Sequence, residues 1–197
     1  VLTVRANRPA DDEGTGFRSI LVPVDFSWCS QLALEYAREL ARTHGATLRL
    51  LHVVSEAACP DVYLLGSQPT MDSRLSMESE AVRRLWKLAE ETGAPVRDTE
   101  VFVRFGRPAG EVVRFAREAG LDLIVMATHG LSGFLRVMLG SVTSHVVNGA
   151  PCSVLAMNWG PSLVPGLRVL SSHYDEITSL PATSGTYPVR ADTNTAT

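Results

Sequence analysis

The chain has 197 residues, of which 45% are hydrophobic and 20% charged, with a formal net charge of −3. That length suits one domain of about 140–150 residues plus tails, and the charge argues against nucleic acid or an anionic membrane as the main partner. Lys87 is the only lysine and Cys29, Cys59 and Cys152 lie far apart, so lysine-pair chemistry, a disulfide framework and a zinc site are not indicated.

Residues 1–17 read as a flexible lead-in without the apolar stretch of a signal peptide. Ser19 to Val24 is an apolar run of strand length, and Ser27 is placed to cap a helix that ends near His44 at Gly45. Ala33, Ala37, Leu40 and Ala41 fall on one face of that helix, suited to packing on a sheet. Thr47 to Val54 is the second strand. Residues 55–72 carry Pro60, Gly66 and Pro69 and form a long connection. Leu75 to Thr92 is helical, with Leu75, Val82, Leu85, Trp86 and Ala89 as its apolar stripe and Gly93 as its stop.

Val96 to Phe105 alternates like a strand, and Pro108 opens a helix that runs to Ala119 before Gly120. Asp122 to Ala127 and Cys152 to Met157 are the last two strands. Strand and helix thus alternate five times, the pattern of an α/β fold: an open, five-stranded, mostly parallel sheet with helices on both faces. Residues 18–159 form the domain, and the Ser-, Thr- and Pro-rich residues 160–197 form an extension expected to be partly disordered. No apolar run approaches the ~20 residues of a membrane span, and the expected compartment is the cytoplasm.

Parallel strands joined by right-handed crossovers leave their C-terminal ends as the ligand edge. Asp25, the Val53–Val54 pair and the turn from Ala127 to Gly130 all fall there. Downstream, Gly140 and Ser141 open a short helix, whose N-terminal N–H groups suit an anion. Arg136, in the loop between Gly130 and Gly140, is placed to reach an outer phosphate. The same residues also read as ordinary turn glycines and a helix cap. Asp25 has two readings as well: an Asx-turn into the helix, or a contact with ribose or, through Mg²⁺, with phosphate. His52, within a strand, reads as a satisfied core histidine. No lysine-bearing phosphate loop, dinucleotide fingerprint or serine-hydrolase elbow is present.

Four stretches, ILVPVDFS at 20–27, LRLLHVV at 48–54, GRPAGEVVRFAREAGLDLIVMATHG at 106–130 and LGSVTSHVVNGAPCSVLAM at 139–157, make Ser19 to Met157 similar to the universal stress protein family. The resemblance implies a Rossmann-like domain of the adenine-nucleotide-binding type and a homodimer formed through the strand Ser153 to Met157. The ATP-binding branch carries G-2x-G-9x-G-[S/T]. Gly130, Gly140 and Ser141 match its last three positions, and Ala127 replaces the first glycine. By the same resemblance Pro23, Val24 and Asp25 line the ribose, Val53 or Val54 presents backbone groups to adenine, and Met126 packs near the base. Gly130, Gly140, Ser141 and Val142 hold the phosphates of ATP, with Mg²⁺ arriving on the nucleotide. The implied function is ATP binding in a regulatory or interaction role, with at most slow hydrolysis. The alternative is a nucleotide-free dimeric interaction module whose site is degraded at Ala127.

Overall fold

The computed structural model describes residues 2–3, 16–55, 71–94, 98–128 and 140–157. In chain order these form β1 (Leu2–Thr3), β2 (Ser19–Pro23), α1 (Trp28–His44), β3 (Thr47–Val54) and α2 (Met71–Glu91). They continue with β4 (Thr99–Phe105), α3 (Pro108–Glu118), β5 (Leu123–Ala127), α4 (Ser141–Gly149) and β6 (Ser153–Met157). The sheet runs in the order β1-β6-β5-β2-β3-β4. The five expected strands are parallel to one another, and β1 adds a sixth, antiparallel to β6.

The central strands are apolar throughout because both faces are covered. Ile20, Val22, Leu48, Leu50, Leu123 and Val125 pack under α1 and α2, with Leu34 and Leu85 as the principal helix contributions. Leu21, Leu51, Ile124 and Val154 face the other way, onto Val112 and Phe115 of α3 and Val146 of α4. Small residues set the closeness of α1: Ala33 and Ala37 are fully buried against the sheet.

Local chemistry places the helix ends. The Ser27 hydroxyl accepts from the Ser30 N–H at 3.3 Å, and Gly45 closes α1 at φ 64°, a left-handed conformation that glycine adopts without penalty. Pro108 starts α3, where its missing N–H leaves no hydrogen bond unmade. Helix α2 begins four residues before the expected Leu75, and Leu75 itself is 52% exposed rather than part of the buried stripe. Strand β4 begins at Thr99, and the expected start at Val96 lies outside the described residues.

Two further expectations change. The sequence predicts a flexible lead-in over residues 1–17, but Leu2 and Thr3 pair with Leu155 and Val154, and Phe17 packs on the core with its ring 5.4 Å from His44. The outer edge of β6 is therefore occupied at those two residues, so it is not a wholly open edge awaiting a second copy. Among the described residues, no helix is long and apolar enough to cross a membrane. Residues 160–197 lie outside the described residues.

A single carboxylate ties the starts of β2 and β5 together. Asp122 Oδ2 accepts from the backbone N–H of Arg18 at 2.8 Å and of Ser19 at 3.0 Å, and the Asp122 N–H donates to the Ser19 carbonyl at 3.1 Å. Replacing Asp122 by Ala leaves two backbone donors without their acceptor. The expected cost is about 1–3 kcal/mol of unfolding free energy, read by urea denaturation of the full chain, and a loss below ~0.3 kcal/mol would show the clamp to be idle.

Candidate functional site

Strand β2 lies between β3 and β5, so the chain leaves it toward one side of the sheet and returns on the other. The crevice of such a sheet opens beyond the C-terminal ends of the strands where the winding reverses. Here a cavity of about 400 Å³ occupies that position. Its floor comes from Pro23 at the end of β2 and Val24 and Asp25 after it, from Leu51 to Val53 in β3, and from Met126 to Thr128 at the end of β5. Pro108 and Val112 of α3 and Gly140 to Thr143 at the start of α4 form its walls, with Ser30 of α1 beside Asp25.

The structure therefore brings together Pro23, Val24, Asp25, Val53, Met126, Ala127, Gly140, Ser141 and Val142 of the residues singled out in the sequence. Val54 is not in the lining; its carbonyl accepts the Gly106 N–H at 3.1 Å, which extends the β3–β4 ladder instead. Gly130 and Arg136 lie outside the described residues. Ser30, Pro108, Val112, Thr128 and Thr143 also line the cavity. Their sequence signal was only that of core and cap residues, because the fold alone turns those faces inward.

Asp25 realises the Asx-turn. Its Oδ1 accepts from the Ser27 N–H at 3.0 Å and from the Ser27 hydroxyl at 2.5 Å. Oδ2 has no hydrogen-bond partner among the described residues, and Asp25 is the only carboxylate among those lining the crevice. The turn and the ligand reading are thus compatible, since each uses a different oxygen.

The start of α4 is chemically open. Gly140 is its cap residue, with no side-chain cap hydrogen bond, and the helix carries no acidic residue in its first turn. The Gly140 N–H donates to the Thr128 carbonyl at 2.9 Å, so that group is spent within the protein. The N–H groups of Ser141, Val142 and Thr143 have no acceptor among the described residues. They carry the positive end of the helix dipole into the crevice beside the exposed Ser141 hydroxyl. The Thr143 hydroxyl turns inward and donates to the Ala127 carbonyl at 2.9 Å.

Gly140 has φ −57° and needs no left-handed conformation; its lack of a side chain matters because a Cβ would stand 2.6 Å from the Thr128 carbonyl oxygen. Ala127 sits in regular β5 backbone opposite Met157, and among described non-glycine residues only Phe26, at φ 61°, has a positive φ. The methyl of Ala127 therefore imposes no backbone strain, and only the space it occupies can matter.

His52 sits at the bottom of the crevice with Nδ1 2.7 Å from the Val24 carbonyl. A carbonyl only accepts, so Nδ1 carries the hydrogen. Burial pushes its pKa below the ordinary value near 6.5, and the Arg84 charge acts in the same direction, against the opposing pull of the Val24 carbonyl and Asp25. Burial, with Asp25 adding to it, likewise raises the Cys29 thiol, which stays protonated and unreactive at neutral pH. Among the described residues, no group of three or more histidine, cysteine or carboxylate side chains is arranged to hold a metal ion.

Two outcomes follow from this geometry. Gly140→Ala is expected to lose about 1–3 kcal/mol of stability without any ligand present, because backbone rather than a flexible side chain opposes the new methyl; thermal denaturation of the ligand-free protein reads it. His52 has a depressed folded-state pKa, so its neutral form supports the fold above about pH 6.5, and that support fades as pH falls below it, by at most about 1.4 kcal/mol per pH unit. Denaturation curves between about pH 7.5 and 5 should show His52→Gln with a shallower pH dependence than the unsubstituted chain, and parallel dependences would exclude His52 as a contributor.

The universal stress protein family matches residues 16–158 of the chain. Universal stress protein MJ0531 of Methanocaldococcus jannaschii is 34% identical over 142 residues, covering 72% of this chain and 82% of that protein. The solved structure of protein MJ0577, from the same organism, superposes with a TM-score of 0.61 at 26% identity, over 74% of this chain and 98% of that one. A universal stress protein solved in complex with cAMP shares the fold, with a TM-score of 0.51 at 24% identity over 73% of this chain and 98% of that one.

Proposed function

The chain belongs to the universal stress protein family, and from that premise we propose that its crevice binds an adenine nucleotide, ATP foremost, in a regulatory or interaction role. The observation that carries this reading is the uncapped start of α4. The N–H groups of Ser141, Val142 and Thr143, which have no acceptor among the described residues, and the Ser141 hydroxyl belong to the same cavity lining as Asp25, whose Oδ2 has no partner among the described residues. An anion at one end and a hydroxyl-bearing ring at the other is the chemistry of a nucleotide. Between them Val24, Val53, Met126 and Ala127 offer an apolar floor for a base, with the backbone of Val53 at the strand end to read its edge.

In this reading Ser141, Val142 and the loop residues Gly130 and Arg136 hold the phosphates, and Pro23, Val24 and Asp25 line the ribose. Mg²⁺ arrives with the nucleotide, since the described crevice offers a single carboxylate rather than a ligand cluster. The described lining offers one carboxylate, Asp25, with Oδ1 spent on Ser27, and one histidine, His52, with Nδ1 spent on the Val24 carbonyl, which favours binding over efficient hydrolysis. A homodimer through Ser153–Met157 belongs to the same reading and requires the edge of β6 to accommodate both Leu2–Thr3 and a second copy.

One observation favours the alternative of a nucleotide-free interaction module: Gly140 is already explained by its contact with the Thr128 carbonyl, without any phosphate. Mass spectrometry of small molecules extracted from the purified protein, followed by calorimetric titration with ATP and Mg²⁺, separates the two. Binding of ATP is expected. Absence of binding at millimolar nucleotide would remove the ATP reading and leave the interaction module. Ser141→Ala should weaken ATP about tenfold while leaving adenosine unaffected, the loss of one hydrogen bond to a charged group. Equal weakening of both ligands would move the phosphates away from α4.

A further inference from the structure

Phe26 is the unusual residue of the crevice margin. It lies between Asp25 and the helix cap Ser27, and it is the one described non-glycine residue in the left-handed region, at φ 61°. Glycine takes that conformation freely, whereas a bulky side chain there persists only where its surroundings hold it. The surroundings are specific. The guanidinium carbon of Arg84, from α2, stands 3.9 Å from the centre of the Phe26 ring. The His52 ring lies at 4.5 Å, tilted by 42°. His52 is in turn fastened to the Val24 carbonyl, and Ser27 to Asp25 Oδ1, so each neighbour of Phe26 in the turn is tied while Phe26 itself is held by its ring. Arg84 has no carboxylate partner among the described residues, which leaves its charge on the ring face.

We propose that Phe26, clamped between Arg84 and His52, is a positioning residue of the nucleotide site: it holds the left-handed turn that presents Asp25 Oδ2 to the ribose hydroxyls. The inference rests on the adenine-nucleotide reading of the crevice and adds a determinant lying outside its lining. Phe26 touches no ligand in this scheme. It acts through Asp25, and through Arg84 it connects the ribose end of the crevice to α2, a helix on the opposite face of the sheet.

The test compares ATP with 2′,3′-dideoxyATP, which keeps base and phosphates and lacks both ribose hydroxyls. Calorimetry is run on the full chain and on the variants Asp25→Ala, Phe26→Gly and Arg84→Met. The unsubstituted chain should prefer ATP about tenfold, as expected for a hydrogen bond to a carboxylate. Phe26→Gly, which accepts the backbone conformation but removes the ring, should lower that preference to about onefold, as Asp25→Ala does, while dideoxyATP affinity stays within about twofold. Arg84→Met, which removes the charge from the ring face, should lower the preference to roughly threefold.

A merely structural Phe26 would weaken both nucleotides in parallel, and an unchanged preference in Phe26→Gly overturns the proposal. Should that variant fail to fold by circular dichroism, Arg84→Met decides, and an unchanged preference there overturns it. Binding of ATP and dideoxyATP with equal affinity by the unsubstituted chain also overturns it while sparing the adenine reading. Binding of neither nucleotide overturns the adenine reading and the ribose role together.

Discussion

The parallel pairing of β2 with β5 is the constraint on which the rest of the molecule depends. Ile20 stands opposite Leu123 and Leu21 opposite Ile124, although a whole βαβ succession separates the two strands in the chain. Side chains of this ladder are buried on both faces, so slipping the register by one residue would turn each set into the wrong core. Because crossovers are right-handed, placing β3 on one side of β2 and β5 on the other sends α1 and α2 to one face and α3 and α4 to the opposite one. The crevice is the gap that this reversal leaves above β2 and β5. Asp122, bonded to the backbone of Arg18 and Ser19, clamps the far end of the same strand pair.

Two helix starts border the crevice, and they differ in a way that gives it polarity. At α1 the Ser27 side chain turns back onto the Ser30 N–H and is itself held by Asp25, so the donors there are partly spent within the protein. At α4 the cap residue is a glycine without a side chain, and the first-turn donors have no acceptor among the described residues. The stretch before α1 therefore brings a carboxylate to the lining, and the start of α4 brings N–H groups and a dipole. This asymmetry arises from one cap residue at each helix and not from any strongly charged cluster, in keeping with a chain of near-neutral overall charge.

Much of the fold was legible in the residues. Ser27 as a cap, Gly45 as a stop and Pro108 as a helix start are local chemistry, and the structure places them accordingly. One boundary moved at α2, where the periodicity that begins at Leu75 hid the helix's first turn. Leu2–Thr3 carried no signal because a two-residue strand has neither length nor alternation, and only the exposed edge of β6 makes it a strand. In the site, the residues after β2 and at the start of α4 were readable from their place at strand and helix ends. Val53 and Val54 were not distinguishable, since only the pairing with β4 shows which of them the neighbouring backbone occupies.

The sequence by itself determined the order and type of elements, the parallel α/β class and the edge of the sheet at which a ligand would sit. Those properties follow from hydrophobic period, caps and turn residues, which act over a few positions. The tertiary structure alone decided why Gly140 is a glycine, that Ala127 lies in unstrained strand backbone, and that Asp25 both ties the turn through Oδ1 and lines the crevice. It alone brought Phe26, His52 and Arg84 into one stack. The physical reason is that each of these depends on contacts between segments distant in the chain, and such contacts leave no periodicity for a linear reading to detect.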